Sequence, residues 1–256
     1  MKKLKYIYGP VASWRLGRSL GVDPLSGKNK VCTFNCTYCQ VGKTRPSPAK
    51  RKVFVSTKKL LNEIGSLKPL KIDYITFSGM GEPTLAKNLG QIIKTIKRKR
   101  KEKIAIFTNA SLISKKAVQK DLMLADFVSI KLDAHNEKLF RIISKPSTGI
   151  RLKNIIKGIK EFQKKYKGKL ALQVMFTHQN KRYAKELAEL VKDIDPDKVQ
   201  INTPLRPSGS KPLSKKEINS IKKCFKGLNI ASVYDKKRRR PNPISRREVS
   251  RRRGKL

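Results

Sequence analysis

Acidic side chains are scarce in this chain: 18 Asp and Glu stand against 62 Lys and Arg among 256 residues, a formal net charge of +44. Carboxylates are too few to neutralise the surface, so most basic groups must meet solvent, counter-ions or a polyanion. Nucleic-acid phosphate is the obvious polyanion; a general lysine bias with solvated helix faces is the plain alternative. Long apolar runs are also lacking. No stretch approaches the roughly 18 apolar residues of a membrane span, which excludes a membrane helix. The basic start MKKLKYIYGP passes into polar and turn residues without an apolar core, unlike a signal peptide. The expected location is therefore the cytoplasm, where thiols stay reduced or bind metal. Cysteine is limited to 4 residues and histidine to 2. A disulfide is disfavoured by that compartment and by the odd number of cysteines clustered in one loop.

What is present is a regular alternation of short apolar runs and longer amphipathic stretches. Strands are expected at Ser19–Asp23, Asp73–Phe77, Lys103–Phe107, Asp126–Leu132, Lys169–Phe176 and Lys198–Asn202, with Leu228–Tyr234 as a candidate last one. Helices are expected at Ser56–Leu67, Asn88–Lys101, Ser114–Leu124, Leu152–Tyr166, Tyr183–Ile194 and Ser214–Phe225. Ser56 is a natural N-cap for the first, ahead of Leu60, Leu61 and Ile64 on one face. The pattern predicts an α/β fold: about six β/α units around a parallel sheet, a partial TIM-like barrel rather than a closed eight-fold one. Residues 1–235 form that domain. Residues 236–256 read as a tail with 11 basic residues and one acidic one, too polar to bury a core. The tail is expected to be disordered or ordered by a partner, its natural role that of an arm along nucleic-acid phosphates.

In barrels of this kind chemistry gathers where strands end. The unusual residues fall there in succession: the cysteines after the first strand, Ser78-Gly79-Met80-Gly81-Glu82-Pro83 after the second, Thr108-Asn109-Ala110-Ser111 after the third and Lys131-Leu132-Asp133 at the end of the fourth. Cys32, Cys36 and Cys39 are spaced C-x3-C-x2-C. Three thiolates so close can wrap a [4Fe-4S] cube and leave one iron open to a small ligand. The alternative is a zinc site completed by Cys224 or a histidine. Cys224, however, sits among Ile218, Ile221 and Leu228 at core-like spacing, and neither His135 nor His178 has ligand spacing to the triad.

The triad, with Tyr38 just before its last cysteine, resembles the signature of the radical S-adenosylmethionine (SAM) superfamily. The resemblance implies one [4Fe-4S] cluster held by Cys32, Cys36 and Cys39. It also implies SAM as cofactor, an external electron donor, and cleavage of SAM to a 5′-deoxyadenosyl radical. It assigns Gly79, Gly81 and Glu82 to the amino group of SAM, and Asn109 to a hydrogen bond with SAM. Lys131 is assigned to the SAM carboxylate, Asp133 to a ribose hydroxyl, and Tyr38 to the adenine through its backbone. Each assignment has a plain counterpart: a strand-to-helix turn opened by Pro83, a cap made by Asn109, and a local Lys131–Asp133 pair. Later strand ends offer Gln173, His178 and Asn202 as substrate-side candidates, and Arg206 as an anion contact.

Tyr8-Gly9-Pro10-Val11 and the run Arg15–Asp23 resemble the lead-in of a narrower group, related to the wyosine-base-forming tRNA enzymes. Those enzymes carry further cysteines upstream for a second cluster. Here none precedes Cys32, so one cluster is expected and that particular reaction is not implied. Trp14 departs from the polar or basic residue usual at its place. Arg15 and Arg18 are expected to face the barrel mouth. Three functions remain open: a radical SAM enzyme acting on RNA, with tRNA foremost; one acting on a protein, peptide or small metabolite; and a non-catalytic, metal-stabilised nucleic-acid-binding protein.

Overall fold

The structure, a computed structural model, describes residues 4–43, 45–235 and 242–253. Eight strands form one sheet in chain order: β1 (Ile7–Ser13), β2 (Gly17–Val22), β3 (Tyr74–Phe77), β4 (Lys103–Thr108), β5 (Phe127–Lys131), β6 (Lys169–Met175), β7 (Lys198–Asn202) and β8 (Ile230–Ser232). β1 runs antiparallel to β2, and every later neighbour pair is parallel. Helices fill the crossovers: α1 (Thr57–Gly65), α2 (Leu89–Lys99), α3 (Lys116–Leu122), α4 (Glu137–Ser144), α5 (Leu152–Gln163), α6 (Ala184–Ile194) and α7 (Lys215–Cys224). An eighth, α8 (Arg246–Arg253), follows the last strand. The sheet curls into the expected partial (β/α)6 barrel. No helix among the described residues is long and apolar enough to cross a membrane.

The helices form for the reasons their sequences suggest. The Ser56 side chain caps α1 by accepting from the Lys59 amide, and α2 buries Leu89, Ile92, Ile93 and Ile96 against the sheet. The concave face is built differently. Ser19 and Thr76 share a 2.6 Å hydrogen bond there, and Ser129 donates to Gln200 at 3.0 Å. Leu16, Ala105, Phe127 and Ala171 close its floor at the strand starts. The barrel therefore stays open and polar above an apolar plug.

Three features depart from the sequence expectations. β1 is an additional strand, hairpinned onto β2 with a register shift between Tyr8 and Val11. α4 is an additional helix, capped by the Asn136 side chain and burying Leu139, Phe140 and Ile143. The third is a correction. The tail, expected to be disordered, carries α8, which packs on β1. What orders it is charge pairing rather than apolar burial: its buried residues are Glu248 and Arg252. Residues 236–241 and 254–256 of that tail lie outside the described residues.

The two edges of the sheet come close at a seam. Trp14, in the β1–β2 turn, packs with Ala231 of β8 and with Val233. The apolar ring at this position thus covers the sheet's far edge. The Ile244 amide donates to the Gly9 carbonyl at 2.7 Å on one side of α8. On the other side Arg206 Nη1 donates to the Arg253 carbonyl at 3.0 Å.

Candidate active site

The cysteine loop follows β2 and is pinned by backbone bonds on both flanks. The Thr37 amide donates to the Ile143 carbonyl at 2.9 Å, and the Asn35 amide to the Ser144 carbonyl at 3.0 Å. The last turn of α4 thereby satisfies its open carbonyls with the amides of the loop. Phe34 anchors the loop from within, packing edge-on to Phe140 of α4 at 5.4 Å. The Cys39 amide closes a turn onto the Cys36 carbonyl at 3.0 Å. Cys32, Cys36 and Cys39 are all half-buried reduced thiols.

Their surroundings suit sulfur ligands. Cys32 Sγ accepts from the Phe34 amide at 3.4 Å and faces Asn109 Nδ2 at 3.6 Å. Burial pushes the Cys32 thiol up to about 12, with Cys36 and Glu82 adding to it. A proton is hard to remove from such a site unless a metal replaces it. Among the described residues no three His, Cys, Asp or Glu side chains gather as a single-ion site. A [4Fe-4S] cube spreads its thiolates over separate irons, and one loop carrying three thiols fits that group.

The loop after β3 lies against the cysteine loop. The Val31 amide donates to the Met80 carbonyl at 2.7 Å, and the Glu82 amide to the Val31 carbonyl at 3.0 Å. Glycine is required here. Gly81 has φ +151°, and a Cβ would lie 1.6 Å from the Val31 carbonyl oxygen; at Gly79, φ +144°, it would lie 2.5 Å from Asp23 Cγ. Glu82 is buried, and its carboxylate is fully engaged. Oε1 accepts from the Thr84 amide (3.1 Å), the Thr84 hydroxyl (2.7 Å) and the Thr108 hydroxyl (2.6 Å), and Oε2 from the Asn109 amide at 2.6 Å. Burial raises the Glu82 carboxyl above its ordinary range against the pull of these donors.

Asn109 makes the cap expected of it and also reaches the cysteine loop. Its Oδ1 accepts from the Ser111 amide at 2.9 Å, capping the turn, while Nδ2 donates to Thr33 Oγ1 at 3.0 Å in the cysteine loop. Ala110 next to it has φ +57°, a left-handed conformation that glycine adopts without strain. Lys131 and Asp133 form a local pair at 2.9 Å. Asp133 also accepts from the Tyr38 hydroxyl, and from the Met175 amide at 2.8 Å. Lys131 donates to Ser144 Oγ at 2.7 Å and lies 5.1 Å from the Phe34 ring centroid. Burial works against the Lys131 ammonium, but Asp133 and the thiols beside it leave its pKa raised.

The cysteine loop and the loop after β3 border a cavity of about 310 Å³ whose wall includes Cys39, Tyr38, Gly79, Gly81, Phe107 and Asn202, while Cys32, Cys36, Glu82, Asn109, Lys131 and Asp133 lie outside that wall. That volume lies at the small end of the roughly 300–1,000 Å³ typical of ligand pockets. Arg15 reaches it, its guanidinium 4.9 Å from the ring centroids of both Trp14 and Phe107. Arg18 does not: it pairs with Asp73 at 2.9 Å. Gln173 and His178 lie outside the wall, and His178 is exposed.

Three contributors escaped the sequence reading. The α4 carbonyls hold the cysteine loop; Asn136 followed by Leu139, Phe140 and Ile143 was the available signal. Asp23 accepts from the Met80 amide at 3.2 Å, and Arg252 joins the cavity wall from the tail. Neither had a local signal, because each matters only through a partner far along the chain.

Comparison with known proteins agrees with this arrangement. A UPF0026 protein of Synechocystis sp. is 41% identical over 210 residues, which cover 82% of this chain and 78% of that protein. A more distant relative is the dual-specificity RNA methyltransferase RlmN of Lawsonia intracellularis, 28% identical over 212 residues, covering 77% of this chain and 58% of that protein. Among solved structures, Streptococcus suis SuiB bound to S-adenosylmethionine matches with a TM-score of 0.63 at 19% identity. The match covers 85% of this chain, which spans about half (50%) of the SuiB chain. The Radical SAM superfamily model matches residues 29–191, from the cysteine loop through α6. The chain belongs to the radical SAM superfamily, enzymes whose cofactors are a [4Fe-4S] cluster and SAM.

Proposed function

We propose that this enzyme modifies RNA, with tRNA as the foremost substrate, using one cluster held by Cys32, Cys36 and Cys39. When bound, the cluster supplies the electron that cleaves SAM to methionine and a 5′-deoxyadenosyl radical. The observation that carries the RNA reading is the cavity wall. Beside Arg252, whose charge is taken up by Asp23 and Glu248, it contains Arg15 and Arg253 and no Asp or Glu among the described residues. Trp14 and Phe107 add flat ring surfaces beside Arg15. Cations with ring faces suit a nucleotide, whose base stacks while its phosphate pairs. The exposed Lys153, Lys157 and Lys164 on and after α5, and the overall +44 charge, suit a polyanion outside the cavity. The RlmN relative, an RNA methyltransferase, points the same way.

The individual residues have distinct parts in this reading. Gly79 and Gly81 leave backbone room for the methionine part of SAM. Glu82, with four donors already on its carboxylate, holds the backbone of that loop toward the SAM amino group. Asn109 ties the third loop to the cysteine loop beside SAM. Lys131 and Asp133 brace Tyr38, whose backbone faces the adenine.

The test is anaerobic. Protein reconstituted with iron and sulfide receives SAM and a strong reductant, and 5′-deoxyadenosine and methionine are measured with and without bulk tRNA. SAM cleavage stimulated by tRNA, with RNA binding that weakens steeply as salt rises, is the expected result. Cleavage indifferent to RNA, with salt-insensitive or absent RNA binding, moves the substrate to a peptide or small metabolite. Cys36→Ala is expected to abolish cleavage and the visible cluster absorbance; full activity in that variant overturns the ligand set.

A further inference from the structure

Arg252 is the most deeply buried charge in the tail helix, with a side chain 0% exposed. Its Nε donates to Asp23 Oδ2 at 2.8 Å, and Asp23, at the end of β2, is itself 1% exposed. The same Oδ2 accepts from the Met80 amide at 3.2 Å, between the two glycines of the β3 loop. Gly79 lies so close to Asp23 that no Cβ fits between them. A second path reaches the same loop. The Arg252 guanidinium lies 5.3 Å from the Tyr8 ring centroid, and the Tyr8 hydroxyl meets Ser78 Oγ at 2.6 Å. Beyond Met80 the chain of contacts runs on to Val31, next to Cys32. The guanidinium is held in place by Glu248, the Lys5 carbonyl and Ser26 Oγ, the last at 2.7 Å.

We propose that Arg252 is a positioning residue for the SAM site, acting through Asp23 on Gly79 and Met80. The C-terminal helix is thereby part of the cofactor site and not an appended basic arm. This rests on reading the glycine loop as the seat of SAM's methionine part. The physical case is that a loop with two left-handed glycines has little conformational preference of its own. An acceptor fixed by a buried guanidinium removes that freedom before SAM arrives, and a preorganised loop binds more tightly than one that must be ordered.

The experiment compares the wild type with Arg252→Gln, Arg252→Lys and Arg247→Ala. Arg247 sits on the exposed side of the same helix and is the control. Two measurements are made on each protein: hydrogen exchange of residues 78–82 without SAM, and SAM affinity of the reconstituted protein. Arg252→Gln is expected to speed exchange in 78–82 while leaving β5 and β6 protected, and to weaken SAM binding by about tenfold, a loss of about 1.4 kcal/mol. Arg252→Lys, which keeps the charge, is expected to recover part of both losses, and Arg247→Ala to match the wild type. Unchanged exchange in 78–82 for both Arg252 variants overturns the proposal, whatever SAM does. So does equal loss of protection across the whole chain in both, the mark of a merely structural role. Wild-type protein that binds no SAM refutes the seat assigned to the glycine loop; the exchange result then decides alone whether Arg252 positions it.

Discussion

The β/α body and the seam are held by opposite means. From α1 to α7 the outer layer is apolar: α5 buries Leu152, Ile155, Ile159 and Phe162, and its charges point to solvent. At the seam, α8 meets the sheet through a buried Arg–Asp–Glu cluster and carbonyl contacts, and Trp14 packs the β1–β2 turn against β8. Apolar packing is forgiving of exchange among similar residues, whereas a buried charge cluster tolerates the loss of no member. The body supplies stability, and the seam fixes where one loop sits relative to another.

Body and site are independent only if damage to the body leaves the site in place. Phe162→Ala on α5, which removes a fully buried ring stacked 4.7 Å from Tyr166, is expected to cost about 3–5 kcal/mol of stability in denaturant unfolding. SAM affinity of the still-folded fraction is expected to match the wild type. A weaker SAM site in that variant means the two regions are coupled.

Asp23→Asn sharpens the seam side. It removes one of the two carboxylates that face the buried Arg252 guanidinium and leaves Glu248 as the charged partner, at an expected cost of about 2 kcal/mol. Exchange at residues 78–82 is expected to rise well before global unfolding, as read by native-state hydrogen exchange against denaturant. Equal opening energies for the loop and for β5 and β6 refute the distinction.

The smallest effect contrasts an exposed polar link with the buried one. Glu217 accepts from Lys181 at 2.8 Å and closes the capping box of α7 with Ser214. The Lys181 contact, then the Ser214 bonds, lower its pKa from 4.5 to about 2. Because the folded value lies below the unfolded one, its contribution is present above 4.5 and fades as pH falls through about 2. Amide protection in the first turn of α7, followed by NMR, is expected to decline only across that window. The group is exposed, so the rest of the fold is expected not to respond. Constant protection through the same window means that this cap is carried by Ser214 alone.

The division also explains what was legible in the sequence. Lys198–Asn202 reads as a strand and is one, because its apolar run stands between clear breaks. The same holds within a residue or two for β3 to β6 and for five of the crossover helices, while α5 ends at Gln163, three residues before its apolar pattern does. The three cysteines, the two glycines and Asn109 fall on neighbouring loops as their places after successive strands imply. α4 escaped because eight residues give a stripe too short to stand out. β1 escaped because Gly9 and Pro10 interrupt its alternation. α8 escaped for a deeper reason: Arg252 and Glu248 occupy its buried face, so hydropathy reads the wrong side as interior. Asp23, Glu82 and Asp133 illustrate the same limit. Their residue types suggest ligands, and only the folded arrangement shows each already saturated by donors from other segments.

The Asp23–Arg252 pair spans 229 positions along the chain. In the growing chain the cysteine loop and the glycine loop are made before the arginine that ties them. Until Arg252 is made, Asp23 lacks the guanidinium that fixes it beside Met80, so the glycine loop takes its final place only after both loops already exist.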